Sequence, residues 1–324
     1  MKRIPPWSRQ ELLHAYFHDH EELESILREM PGFHVAQKLE EMTASYSIFV
    51  SATEDLFESI HKFKFLEGRS KLYDRHSRVS VEDSITAVRR GIFAACSASM
   101  ALVDHTRRIA KSLDVQGYND EIQSRFANSK LHNFVQGLRN YSLHRVIADT
   151  DWQVNFNFES KTKTVLFLIS KKRLLEWDKW GTLAKQLINE SANGVDVEAT
   201  FVEYAKQIAD FNRWLRHKIR KSEEDNYQKY LYYKNITDGF REYYGVNLLV
   251  SHLTSDAKAN PDMYLDRFLT NEQIDVVLSF PPKSKERVDK LIFFVDIHNA
   301  CDHTLREKLY RIFGVENLGS GLET

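Results

Sequence analysis

Leu138-Arg139-Asn140-Tyr141-Ser142-Leu143-His144 lies in a stretch of helical pattern running from about residue 120 to 145. On a helical wheel, Leu131, Phe134, Val135, Leu138 and Ser142 make one apolar face, with Tyr141 on its shoulder. Asn133, Gly137, Asn140 and His144 make another, spaced four, three and four apart. That second face cannot enter the same core. It is either solvated, as the polar faces of most helices are, or approached by another helix, for which Gly137 leaves room. Arg139 lies on neither side of that choice, because it sits about 140° from His144 around the axis. In one straight helix the two side chains diverge. They converge only if the helix is distorted near Ser142, or if a second chain supplies one of them.

Working outward, the preceding helix runs over 80–113, with Ser80 and Asp83 as a capping box. Its buried face is Ile85, Val88, Ile92, Cys96, Met100, Val103 and Ala110. Arg89, Arg90, Arg107, Arg108 and Lys111 share this helix. They read first as a solvated face, with an RNA phosphate backbone as the functional alternative. Further toward the N-terminus, 8–30 reads as one helix ended by Pro31-Gly32, and 35–65 as a second. Beyond His144 the period changes to two. Val154, Phe156 and Phe158, then Val165, Phe167 and Ile169, alternate with polar residues around a turn at 159–162, which is a β-hairpin. Lys161, Lys163, Lys171, Lys172 and Arg173 flank it. A helix through Leu174, Trp177, Trp180, Leu183 and Leu187 follows, then one over 197–221. The end of that helix holds Arg213, Arg216 and Lys218 in the densest basic run of the chain. Cations in a last helical turn also suit the helix dipole. After Asn260-Pro261 come short helices, one opened by a Thr270–Gln273 capping box.

The 324 residues include 12 Gly, 6 Pro and 28% charged side chains, a balance that favours helices over turn-rich β structure. The formal net charge of -1 counts against a globally basic nucleic-acid binder and places any RNA contact on local patches. Two cysteines, Cys96 and Cys301, are no disulfide framework and suit a reducing, cytoplasmic compartment. No signal peptide and no long apolar run is present, so no membrane is expected. His14 and His18 share a helix face without the H-E-x-x-H pattern. His298, Cys301 and His303 form a trio with no second cluster at zinc spacing. No metal and no cofactor is expected. Gly-rich phosphate loops, a G-x-S-x-G elbow and internal repeats are absent.

The segment from Phe134 to His144, with Arg139, Asn140 and His144 at its end, resembles the Arg-(four to six residues)-His motif of the HEPN superfamily. Its place late in the second of two long helices also fits that family. The resemblance covers about residues 80–150 and implies an up-and-down helical bundle. It also implies a metal-independent ribonuclease that pairs two motifs across a homodimer, often in phage defence or toxin systems. The expected fold is thus mostly α: an HEPN-like bundle with one inserted β-hairpin and a small C-terminal helical appendage. The expected domains are N-terminal helices over 1–79, the HEPN-like domain over 80–258 with its hairpin at 153–170, and the appendage over 259–324. In the roles the resemblance implies, His144 transfers protons, Arg139 steadies the phosphoryl oxygens, and Asn140 orients the imidazole or bonds to the phosphate. Arg107, Arg108, Lys111, Arg213, Arg216 and Lys218 are the cations expected to take RNA. Asn133, Gly137 and Asn140 are expected at the dimer interface. Val146 stands where the HEPN toxins paired with nucleotidyltransferase antitoxins carry a modified Tyr, so that regulation is not expected. The competing readings are a non-catalytic helical binding or scaffolding protein, and nucleotide binding without hydrolysis.

Overall fold

The computed structural model describes residues 6–68, 74–157, 162–255 and 260–315. It is mostly α-helical with a small antiparallel sheet, as expected. Helices α1 (Arg9–His18), α2 (His20–Glu29), α3 (Pro31–Gly68), α4 (Arg78–Ser112), α5 (Tyr118–Ile122) and α6 (Lys130–His144) come first. Strands β1 (Thr150–Asn157) and β2 (Thr162–Ser170) lead to α7 (Lys171–Leu175), α8 (Thr182–Glu190) and β3 (Gly194–Asp196). Then come α9 (Val197–Ser222) and α10 (Glu224–Ser255), a 3-10 segment at Pro261–Arg267, α11 (Asn271–Leu278), α12 (Lys285–Val295) and α13 (His303–Ile312).

Two compact units form, one from Met1–His34 with Asp225–Thr324, the other from Val35–Glu224. They part at different places from the expected divisions after residues 79 and 258. The reason is that the chain's two ends belong to one unit, a relation that local punctuation cannot signal. In that unit Trp7 packs on Tyr233 with ring centroids 4.7 Å apart. Residues after 260 share a core with α10, in which Val246, Leu249, Val277, Leu291 and Leu309 are buried together. They are therefore not a separate appendage.

In the Val35–Glu224 unit, α4 crosses α3 closely: a Cβ on Gly91 would stand 3.0 Å from the Leu56 Cα. The hairpin packs its Val165, Phe167 and Ile169 side inward, and Phe63 of α3 meets Phe167 at 4.7 Å. Phe156 is exposed, so the expected inward face of β1 weakens toward its end. Phe158, Lys161 and most of the expected turn at 159–162 lie outside the described residues. A third strand, β3, pairs antiparallel with β2 and was not expected, since three residues carry no readable alternation. Helix α9 buries Phe201, Tyr204, Ile208, Phe211, Leu215 and Ile219, the inner face read from spacing.

Several helix ends differ from expectation, each for a local reason. The 8–30 helix is interrupted at Asp19, whose backbone leaves the helical region (φ -134°, ψ 45°). Pro31 opens α3 rather than ending α2, because proline's missing N–H costs nothing in a first turn. The Ser80–Asp83 capping box does not form: α4 begins at Arg78, after a 3-10 turn that Asp74 caps through the His76 amide. The run over 120–145 is three pieces, with a π-helical segment at Gln123–Ala127 between α5 and α6. The helix expected through Trp177 and Trp180 is likewise two, α7 and α8, with both tryptophans in the non-helical stretch between them.

Candidate functional site

Helix α6 starts on Ser129, whose hydroxyl accepts the His132 amide at 3.1 Å. It buries Phe134, Val135 and Leu138 completely and Tyr141 and Ser142 nearly so, the face the spacing predicted. Trp180 lies across it, stacked on Phe134 at 5.6 Å and on Tyr141 at 5.7 Å, with its indole N–H donated to the Leu174 carbonyl at 2.6 Å. The ring fills the space over Gly137, where a Cβ would come within 2.6 Å of Trp180 Cζ3. The segment that approaches Gly137 is therefore this chain's own approach to α8. Of the expected dimer-interface residues Asn133, Gly137 and Asn140, the glycine is thus covered within the chain, while the two asparagines are half-buried. Asn133 donates its amide to the Ser129 carbonyl at 2.9 Å, and Asn140 accepts from Arg139 Nη1 at 3.4 Å.

No distortion occurs at Ser142. The helix runs unbroken to His144, and the Arg145 amide still donates to the Tyr141 carbonyl at 3.0 Å. Arg139 and His144 therefore keep their divergence within one chain. Arg139 is half-buried, whereas His144 is exposed and makes no hydrogen bond or ion pair among the described residues. Leu143, Val146 and Ile147 are exposed around it.

Where α6 ends, the chain enters a cleft of about 770 Å³ between α4, the residues after His144, and α7. Arg89, Arg90, Arg145 and Arg173 line it, against the two carboxylates Asp149 and Glu176. Asp149 is gripped by both Arg89 and Arg173. The Arg89 Nε is buried with no acceptor. Arg90 and Arg145 are exposed and carry no ion pair among the described residues, so the cleft's lining holds an excess of positive charge. Tyr141 closes its inner wall. Burial raises the phenol's pKa, opposed by the Arg145 charge, reinforced by Glu176 and opposed again by Arg173. Its hydroxyl thus remains a proton donor at neutral pH. Guanidinium forks beside a phenolic donor suit phosphoryl or carboxylate oxygens.

The six cations expected to take RNA are not gathered here. Arg107 pairs with Asp104 at 3.1 Å and Arg213 with Asp210 at 3.2 Å, each on its own helix. Arg216 bonds to the Thr43 hydroxyl, Lys218 sits 6.0 Å over the Trp214 ring, and Arg108 and Lys111 are exposed on α4. The cleft's residues were visible in the sequence only singly, as the Arg89-Arg90 pair, the residue after the motif and a hairpin flank. Nothing in their spacing says that they meet.

The histidine–cysteine trio is dispersed. His298 binds Glu242 at 2.8 Å, His303 lies 3.7 Å from Glu307, and burial pushes the Cys301 thiol up to about 12. Among the described residues, no group of three or more His, Cys, Asp or Glu is placed to hold a metal ion. No helix of the described residues is long and apolar enough to cross a membrane. Comparison with protein-family models, with curated proteins and with solved structures finds no match to this chain.

Proposed function

We propose that the protein is a metal-independent endoribonuclease of the HEPN type, with His144 as its proton-transfer group and the arginine cleft as its phosphate track. The observation that carries this reading is the position of His144. It is exposed and unpartnered at the end of a helix whose next residues, Arg145, Val146 and Ile147, line the cationic cleft. In the reaction, imidazole takes the proton of a ribose 2′-hydroxyl as that oxygen attacks the adjacent phosphorus. The 5′-oxygen leaves and is protonated, giving a 2′,3′-cyclic phosphate and a 5′-hydroxyl. Guanidinium groups stabilise the charge that builds on the phosphoryl oxygens.

Because Arg139 and His144 diverge on a regular helix, the complete site takes Arg139 from a second copy of the chain. The exposed Leu143, Val146 and Ile147 offer that copy an apolar rim beside His144. The same divergence favours a second reading, a non-catalytic helical protein that binds RNA or another polyanion in the cleft.

A cleavage assay on single-stranded RNA in EDTA separates the two. Wild-type protein is expected to cleave, with DNA of the same sequence untouched for want of the 2′-hydroxyl. His144→Ala should lower the rate by about a hundred- to ten-thousand-fold, and Arg139→Ala by on the order of a hundredfold. Both variants should keep the wild-type circular dichroism spectrum. Cleavage that His144→Ala leaves intact, or that EDTA abolishes and metal restores, overturns the ribonuclease reading. RNA binding without cleavage selects the second.

A further inference from the structure

Away from the cleft, a cavity of about 140 Å³ lies between α4, α5, the π-helical segment, α6 and α9. That volume is close to the roughly 150 Å³ of an engineered cavity known to admit benzene. Much of its wall is apolar, with Val103, Ile122, Phe126, Ile208 and Phe211 contributing, and Phe126 and Phe211 meet edge to face at 5.3 Å. A purely apolar hole would need no further account. This one has an unsatisfied polar group in its wall.

Asn212 is only 8% exposed, lines the cavity, and makes no hydrogen bond through its carboxamide; its Oδ1 is fully buried with no donor. Buried side-chain amides are normally bonded, and one left without a partner beside a void calls for an occupant. The other polar lining residues are bonded elsewhere or reach solvent, Asn119 among the exposed ones. His132 Nδ1 is 3.1 Å from the Tyr204 hydroxyl, and burial lowers its pKa, so the imidazole is uncharged. Thr106 donates its hydroxyl to the Val103 carbonyl at 3.0 Å, and burial raises the pKa of the Tyr118 phenol. Arg107 stands exposed at the rim. Phe126 itself comes from the π-helical segment, a distortion found frequently at functional sites.

A carboxamide presents a carbonyl acceptor and an N–H donor side by side. Its complement is a planar edge with an adjacent donor and acceptor, the pairing by which Asn reads a base. We propose that this cavity binds a single-ring nucleobase or a close heteroaromatic analogue. The Asn212 carboxamide pairs with its hydrogen-bonding edge, and Phe126 and Phe211 pack against the ring. The volume is close to one that admits a single six-membered ring, which favours a pyrimidine over a purine. The assignment stands apart from the ribonuclease reading and is tested without any cleavage.

The test is saturation-transfer NMR on the full-length protein with cytosine, uracil, adenine and benzene as separate probes. Cytosine or uracil should receive saturation, with adenine and benzene clearly weaker. Asn212→Leu, close in shape but without the amide, should weaken pyrimidine binding by about tenfold or more. Its circular dichroism should stay that of the wild type. Val103→Phe, which fills the cavity from α4, should abolish binding, and it decides the matter if Asn212→Leu fails to fold. The proposal falls if neither pyrimidine binds, or if Asn212→Leu or Val103→Phe binds them as the wild type does. It also falls if benzene binds more tightly than the pyrimidines, or if adenine binds as well as they do.

Discussion

Gly137 shows how one residue decides between two readings of the same face. Spacing alone left the face open to solvent or to a helix, and what fills it is the edge of the Trp180 indole, fixed by its bond to the Leu174 carbonyl. Gly137→Ala should therefore destabilise the protein even though alanine is the better helix former. The clash at 2.6 Å falls on a ring that is stacked on two sides and cannot swing away. Overpacking of this kind costs about 1–3 kcal/mol, against about 1 kcal/mol recovered in helix propensity. A urea midpoint for Gly137→Ala at or above wild type would refute this packing. His132 gives a second residue-scale prediction, in pH. Burial depresses its folded-state pKa below the ordinary 6.5, so below that pH the unfolded chain binds the proton that the folded chain refuses. The stability is present above about 6.5 and is lost as pH falls through the folded value. Urea unfolding between pH 7.5 and 5 should show wild type losing more stability than His132→Gln, and equal losses would count against a neutral buried imidazole.

At the scale of elements, periodicity found the faces but not the ends. Phe134, Val135, Leu138 and Ser142 were readable as the buried side of α6 because a single 3.6-residue period runs through them. The break before Lys130 was not, since Asn128-Ser129 interrupts the period without glycine or proline to mark it. The arginine cleft lies at a deeper level of illegibility. It needs the end of α6, the start of α7 and the first half of α4 to meet, and each contributes a cation that looks solvated when read alone. The cleft and the sequence-read basic runs make opposite forecasts for RNA. If the cleft is the track, Arg90→Ala and Arg145→Ala should each weaken single-stranded RNA binding and flatten the log–log salt dependence by about 0.7 per lost contact. Arg107→Ala and Arg213→Ala, whose guanidiniums already face Asp104 and Asp210, should change it little. The reverse ranking in a salt titration would move the RNA site to α4 and α9.

For the whole molecule, the mostly helical class followed from low glycine and proline content and from long runs of one period. The two units did not follow, because Trp7 meeting Tyr233 is a relation across more than two hundred residues, and α10 shares its core with the last helices across the Asn260-Pro261 punctuation. The arrangement of the proposed catalytic pair belongs to this scale as well. A straight α6 keeps Arg139 and His144 on different sides, so a ribonuclease built on them needs two chains, each giving one residue to the other's site. That geometry can be tested by complementation. Arg139→Ala and His144→Ala should each be inactive alone. Mixed and allowed to exchange subunits, half of the dimers become heterodimers in which one of two composite sites is whole, so activity should return to about a quarter of wild type. Ile147→Asp, which puts a charge on the exposed rim beside His144, should lower both dimerisation by sedimentation and this recovery. If the mixture stays inactive while the wild type cleaves RNA, the two residues work within a single chain. The straight helix would then have to bend when RNA binds.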